Sequence, residues 1–174
     1  MQATHEQQRK AMVVGLGKSG LSAARYLHAQ GYSVAVTDSR IAPPGLAALR
    51  DALPDAAVFV GGFSDAALAN TDVVVVSPGI PLHDPFISHV RSTGVELLGD
   101  IELFARAATQ PVVAVTGSNG KSTVATLFAV MAETANRRVG LGGNVGTPAL
   151  DLLLQDVDLY VLELSSFQLE STRS

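Results

Sequence analysis

The chain contains no cysteine. That one absence excludes disulfide frameworks, thiolate metal centres and cysteine nucleophiles, and it fits a reducing compartment. Long apolar runs are also missing. Nothing approaches the roughly 18 residues that a membrane span needs, and residues 1–10 are polar, without the apolar segment of a signal peptide. A cytoplasmic protein with no membrane partner is the expectation. Basic charge is scarce as well: twelve Lys and Arg stand against sixteen Asp and Glu, for a net charge of −4. Those cations are scattered, whereas a phosphate backbone needs them clustered, so no nucleic-acid partner is expected. Apolar material is plentiful. At 47% hydrophobic residues and a mean hydropathy of +0.29, the 174 residues can bury a sizeable core in one large domain or two small ones.

Short β-branched runs at residues 11–14, 33–37, 56–60, 72–76, 112–116, 138–141 and 159–162 read as strands. Amphipathic segments at 19–30, 46–53, 85–93, 101–108, 122–134 and 148–154 read as helices. Their alternation implies parallel sheets covered by helices. The expected fold class is α/β: a Rossmann-like parallel-sheet domain at residues 1–99, then the first part of a P-loop NTPase-like α/β domain at residues 100–174. Residues 94–110, which end before Pro111, read as a connecting helix between the two units. Leu127, Val130, Met131 and Phe167 are expected in the core, and Arg137 and Arg138 in a solvated loop. His5, His28, His83 and His89 have no acid or second His at ligand spacing and read as surface or structural groups.

The densest motif lies at residues 112–123, where an apolar strand runs into Thr116, Gly117, Ser118, Asn119, Gly120, Lys121, Ser122 and Thr123 and then a helix. Glycines let successive amides point at one anion, and the helix start adds partial positive charge. Lys121 can reach the terminal phosphates of a nucleotide, and the Ser122 or Thr123 hydroxyl can ligate Mg²⁺. The eight-residue phosphate-loop pattern would place glycine at position 115, which is Val115, so the match is to a shorter variant, TGxxGKS.

A second glycine turn spans Gly15, Leu16, Gly17, Lys18, Ser19 and Gly20, again between a strand and a helix. The acid Asp38 closes the next strand, which completes the dinucleotide-binding pattern. Taken alone, this is an NAD site, with Asp38 accepting hydrogen bonds from a ribose or a base. An NAD(P)-dependent oxidoreductase would leave the Lys121 loop unexplained; an enzyme that activates a nucleotide-linked substrate with ATP needs both turns. A noncatalytic nucleotide-binding module is a further alternative.

Three stretches then carry a resemblance: residues 117–123, residues 142–150 (GGNVGTPAL) and residues 162–170 (LELSSFQLE). Together they resemble successive motifs of the Mur ligases. Residues 15–20, Asp38-Ser39-Arg40, Ser77-Pro78-Gly79-Ile80 and residues 99–104 are similar to the UDP-binding domain of that family, so nearly the whole chain is covered. The resemblance implies an ATP- and Mg²⁺-dependent amide ligase of cytoplasmic peptidoglycan precursor synthesis, in which D-glutamate joins UDP-N-acetylmuramoyl-L-alanine through an acyl phosphate. It gives Lys121 and Glu163 catalytic roles, with the 117–123 loop on ATP and Ser122 and Glu163 on the metal. Leu16, Gly17, Lys18, Asp38, Ser39, Arg40, Ser77 and Gly79 would hold the UDP part, with Asn144 and Ser165 reaching it from the second domain. Ser39 replaces the threonine expected there and keeps a hydroxyl.

Members of that family are several hundred residues long. The resemblance therefore implies that these 174 residues are an N-terminal portion, inactive alone, which binds nucleotide weakly. The D-glutamate site and the later metal-binding histidine and modified lysine would lie elsewhere. An incomplete second sheet would expose an apolar edge and invite self-association, although the intact enzyme is expected to be monomeric.

Overall fold

The computed structural model describes residues 8–174, so His5 lies outside the described residues. Among these, eight strands alternate with eight helices. The first sheet gathers β1 (Lys10–Val14), β2 (Ser33–Asp38), β3 (Ala57–Val60), β4 (Val73–Val76) and β5 (Glu96–Gly99), in the order β3-β2-β1-β4-β5. All its pairings are parallel. The crossovers run through α1 (Lys18–Ala29), α2 (Leu46–Ala52), α3 (Asp65–Leu68) and α4 (Pro85–Ser92). Four consecutive valines form β4, and all are buried, as a strand covered on both faces requires. Strand order reverses at β1, which opens a crevice between the ends of β1 and β4.

The second sheet is smaller, with β6 (Val112–Val115), β8 (Leu159–Glu163) and β7 (Val139–Gly143) in the order β6-β8-β7, all parallel. Around it lie α5 (Asp100–Ala107), α6 (Lys121–Thr134), α7 (Ala149–Leu152) and α8 (Ser166–Glu170). One apolar cluster spans both lobes: Ala23, Ala24 and Leu27 of α1 join Ile101 and Phe104 of α5, Leu150 and Leu152 of α7, and Tyr160 and Leu162 of β8. Phe104 meets Tyr160 edge-on, with ring centroids 5.0 Å apart. At the seam, Ser22 Oγ donates to Asp151 Oδ1 at 2.6 Å.

Several expectations change. Residues 94–110 are not one helix: β5 and α5 share the stretch, because residues 96–99 complete the edge of the first sheet and Gly99 ends the strand. Helical periodicity after Gly99 had no basis for extension before it. Leu127, Val130 and Met131 are 58%, 51% and 62% exposed rather than core. Only Ala125 and Ala129, one turn apart, face the three-stranded sheet, so the larger side chains of α6 point outward. Phe167 is 60% exposed for a similar reason: Gln168 takes the inward position of α8, and its neighbour turns away. Arg138 does more than solvate a loop, since it is ion-paired with Asp156 and with Asp158. Helix α7 is shorter than the 148–154 reading, and α3 and α8 add two short helices. His28, His83 and His89 lie at the surface, His89 being 3.6 Å from Asp65.

Candidate nucleotide-binding sites

Both glycine turns lie where a parallel sheet presents the carboxyl ends of its strands. In the first lobe, the β1–α1 turn and the β4–α4 loop border a cavity of about 390 Å³. Gly17, Lys18, Asp38, Ser39, Arg40, Ser77 and Gly79 all line it, as do Gly15, Ser19, Gly20, Pro78 and Ile80. Helix α1 starts at Gly17 without a side-chain cap, so its first amides face this space unpaired by a side chain. Leu16 does not line it: the residue is fully buried, with its amide donating to Asp38 Oδ2 at 2.6 Å and its carbonyl accepting from the Gly45 amide at 3.1 Å. The Ser77 hydroxyl is turned inward, donating to the Gly15 carbonyl at 2.8 Å.

Asp38 is committed to its own neighbours. Its Oδ1 accepts from the Arg40 amide and Nε, each at 2.8 Å, and its Oδ2 accepts from Arg40 Nη2 and the Leu16 amide, both at 2.6 Å. Only 1% of Asp38 is exposed. The guanidinium fork holds the carboxyl well below its ordinary 3.8, at about 2, against the opposing effect of burial. A ribose diol could reach this acid only by displacing the guanidinium. Half-exposed Arg40 is the group that faces the cavity.

The second lobe assembles a different site. Register places Val115 beside Glu163 and Glu163 beside Gly143, so the ends of all three strands meet. Glu163 is buried, and its Oε2 accepts from Ser122 Oγ at 2.6 Å while its Oε1 accepts from Asn144 Nδ2 at 3.5 Å. Lys121 Nζ lies over the loop, donating to the Gly117 carbonyl at 2.8 Å. Ser118, Asn119 and Thr123 are exposed along it. Helix α6 also begins at a glycine without a side-chain cap, which leaves its first amides available to an anion.

Asn144 thus contacts Glu163 and Ser165 pairs with Gln168 at the start of α8, and neither lines the first-lobe cavity. Sequence reasoning missed Asp100 and Gln168, two buried polar residues between the lobes. One signal was available for Gln168: Ser165 and Gln168 have the S-x-x-Q spacing of a capping box, which the structure forms. Among the described residues, no group of three or more His, Asp and Glu side chains has metal-binding proximity. The paired Glu163 carboxylate and Ser122 hydroxyl are hard oxygen donors of the kind that could hold a cation.

The fold is thus two parallel α/β lobes, one with a dinucleotide-type turn and one with a glycine-rich loop backed by a buried acid. The chain belongs to the Mur ligase family: residues 9–99 match "Mur ligase MurD-like, N-terminal domain" and residues 115–174 match "Mur ligase middle domain". It is 56% identical over 164 residues to a UDP-N-acetylmuramoylalanine--D-glutamate ligase of Marinobacter nauticus, covering 94% of this chain and 37% of that protein. Proteins of the same name match from Nitrosococcus oceani, at 55% over 93% of this chain and 36% of the relative, and from Salmonella choleraesuis, at 52% over 97% and 38%. The chain thus spans 36–38% of the length of these curated relatives. Among solved structures, a murein peptide ligase of Psychrobacter arcticus superimposes with a TM-score of 0.59 at 20% identity, covering 95% of this chain and 40% of that one. A UDP-N-acetylmuramate:L-alanyl-gamma-D-glutamyl-meso-diaminopimelate ligase of Neisseria gives 0.58 at 20% identity, over 90% of this chain and 52% of its own. At that identity the likeness establishes the fold.

Proposed function

We propose that the protein carrying these two lobes is an ATP-dependent ligase that joins D-glutamate to UDP-N-acetylmuramoyl-L-alanine in the cytoplasm, working as a monomer. The first unit, residues 1–99, would hold the UDP moiety; the second, from residue 100, would hold ATP. The relatives' shared name supports the substrates. The observation that carries the chemistry is the 2.6 Å contact of Ser122 with Glu163, beside the phosphate loop and in register with the Asn144 loop. Ser122 and Glu163, both hard oxygen donors, would hold Mg²⁺, which would neutralise charge on the phosphate oxygens.

A carboxylate is a poor electrophile, so activation must precede amide formation. The carboxylate oxygen of the UDP-sugar attacks the γ phosphorus, ADP leaves, and an acyl phosphate forms. The D-glutamate amine then adds to the carbonyl carbon, phosphate departs, and the amine loses a proton. Lys121 spreads its charge over the migrating phosphoryl group, and the amides at the start of α6 hold the remaining phosphates. Asn144 and Ser165 orient the sugar end from the second lobe. The Arg40 lock on Asp38 weighs against the oxidoreductase alternative, because it closes the carboxylate that an NAD ribose would use.

Calorimetric titration of the chain with UDP-N-acetylmuramoyl-L-alanine and, separately, with NAD tests this assignment. Saturable binding of the UDP-sugar with no NAD signal is expected. NAD binding without UDP-sugar binding would overturn it.

A further inference from the structure

Two polar residues between the lobes have no part in the chemistry just described, yet both are buried: Asp100 is 4% exposed and Gln168 is fully enclosed. Unpaired, such groups are costly, and each is paired in a way that fixes its orientation. The Ser165 amide can only donate, so the Gln168 oxygen must face it, and Oε1 accepts at 3.1 Å. Gln168 Nε2 is thereby directed at Asp100 Oδ2, 3.4 Å away. Asp100 Oδ1 accepts from the Ile101 amide at 2.9 Å, so both of its oxygens act as acceptors. Ser19, which lines the first-lobe cavity, faces the same carboxylate. Ser165 is the cap of α8, two residues beyond Glu163.

Hydrogen bonds thus link Asp100 through Gln168 to Ser165, with Ser19 of the first-lobe cavity near one end and Glu163 two residues along the chain from the other. We propose that Asp100 is a positioning residue: by orienting the Gln168 amide it holds the Ser165 turn against the first lobe and sets the spacing between the two pockets. This rests on the reading above that one UDP-sugar touches both lobes. Burial pushes the Asp100 carboxyl up, and the hydrogen bonds it accepts oppose that shift, as expected of an acid kept for its acceptor geometry.

The pair permits a reciprocal exchange. D100N turns an acceptor into a donor facing another donor, and Q168E sets two carboxylates against each other. The double variant D100N/Q168E gives every donor an acceptor again. Its carboxylate, now at position 168, accepts from the Ser165 amide and from the side-chain amide at position 100, whose carbonyl oxygen accepts from the Ile101 amide. In this chain, each single variant is expected to weaken UDP-N-acetylmuramoyl-L-alanine about tenfold while UDP alone, held by the first lobe, shifts less than about twofold. The double variant should return to within about threefold of the parent. Equal losses for UDP and the UDP-sugar, or a double variant no better than the singles, would overturn the assignment. Hydrogen exchange gives a ligand-free readout, in which the Ser165 and Gln168 amides exchange faster in the D100N single variant and recover in the double. Unchanged exchange in that single variant would equally overturn it. A parent chain that bound neither UDP nor the UDP-sugar would sink the proposed function instead, leaving exchange to decide the role of Asp100.

Discussion

The two glycine turns share a pattern and a position at the strand ends, but they need glycine for different reasons. In the first lobe the turn is tightly packed at its helix end: a Cβ on Gly20 would lie 1.9 Å from the Gly15 carbonyl oxygen, while one on Gly17 would meet nothing within 4 Å. In the second lobe a Cβ on Gly120 would meet nothing within 4 Å, and glycine is favoured there by φ of +75° alone. The sheets around them differ in the same sense. The five-stranded sheet carries large side chains on both faces, whereas the three-stranded sheet has the shared cluster on one face and on the other only an alanine ridge of α6, whose larger apolar residues face outward. One turn is a fixed part of a core, and the other is an open cradle.

Breaking the packed turn should have the largest effect. Gly20→Ala forces backbone apart, so about 3 kcal/mol of stability and roughly 10 °C of melting temperature should be lost; Gly120→Ala, with strain alone, should lose about 1–2 kcal/mol. Equal losses in the two thermal scans would erase the distinction. Lys121→Ala sharpens it from the other side. Binding of an ATP analogue should weaken at least about tenfold while UDP-sugar affinity and melting temperature stay near the parent's, as calorimetry and a thermal scan would register.

Acid probes the Arg40–Asp38 contact of the first lobe next. Asp38 has a folded pKa of about 2 against its ordinary 3.8, so the unfolded chain takes up the proton first as pH falls. The Arg40–Asp38 contribution is complete above pH 3.8 and fades toward about 2, amounting to about 1–2 kcal/mol after allowance for the exposure of Arg40. The melting-temperature gap between the parent and Asp38→Asn should therefore shrink on acidification; a gap that stayed constant would assign the loss to something other than ionisation. The smallest effect belongs to the α6 face. Leu127→Glu should change stability by less than about 0.5 kcal/mol while reducing any self-association in sedimentation runs. A large loss of stability would mean that the face is covered in solution.

Legibility in the sequence followed the same division. Strand and helix alternation is visible because it rests on runs such as Val73–Val76 and on glycine turns, both local signals. Of the residues lining the first-lobe cavity, the glycine turn and Asp38 were legible from the motif, whereas Ser39, Arg40, Ser77 and Gly79 came from the family resemblance. Edge strand β5 escaped because four residues ending in glycine carry too little periodicity to separate them from the helix that follows. The outward face of α6 escaped too: its apolar pattern is that of a core helix, and how much sheet lies beneath it is a tertiary fact. That Asp38 is closed by Arg40 depends on a side-chain rotation, which two letters cannot specify.

The apolar layer between the lobes belongs to neither. Leu27 on one side and Phe104, Leu152 and Tyr160 on the other form one interior, cross-linked by Ser22 and Asp151. A division that is plain along the chain therefore is not expected to divide the melting unit: heat that opens one sheet would strip the inner cover from the other, so the two pockets should be lost in a single transition.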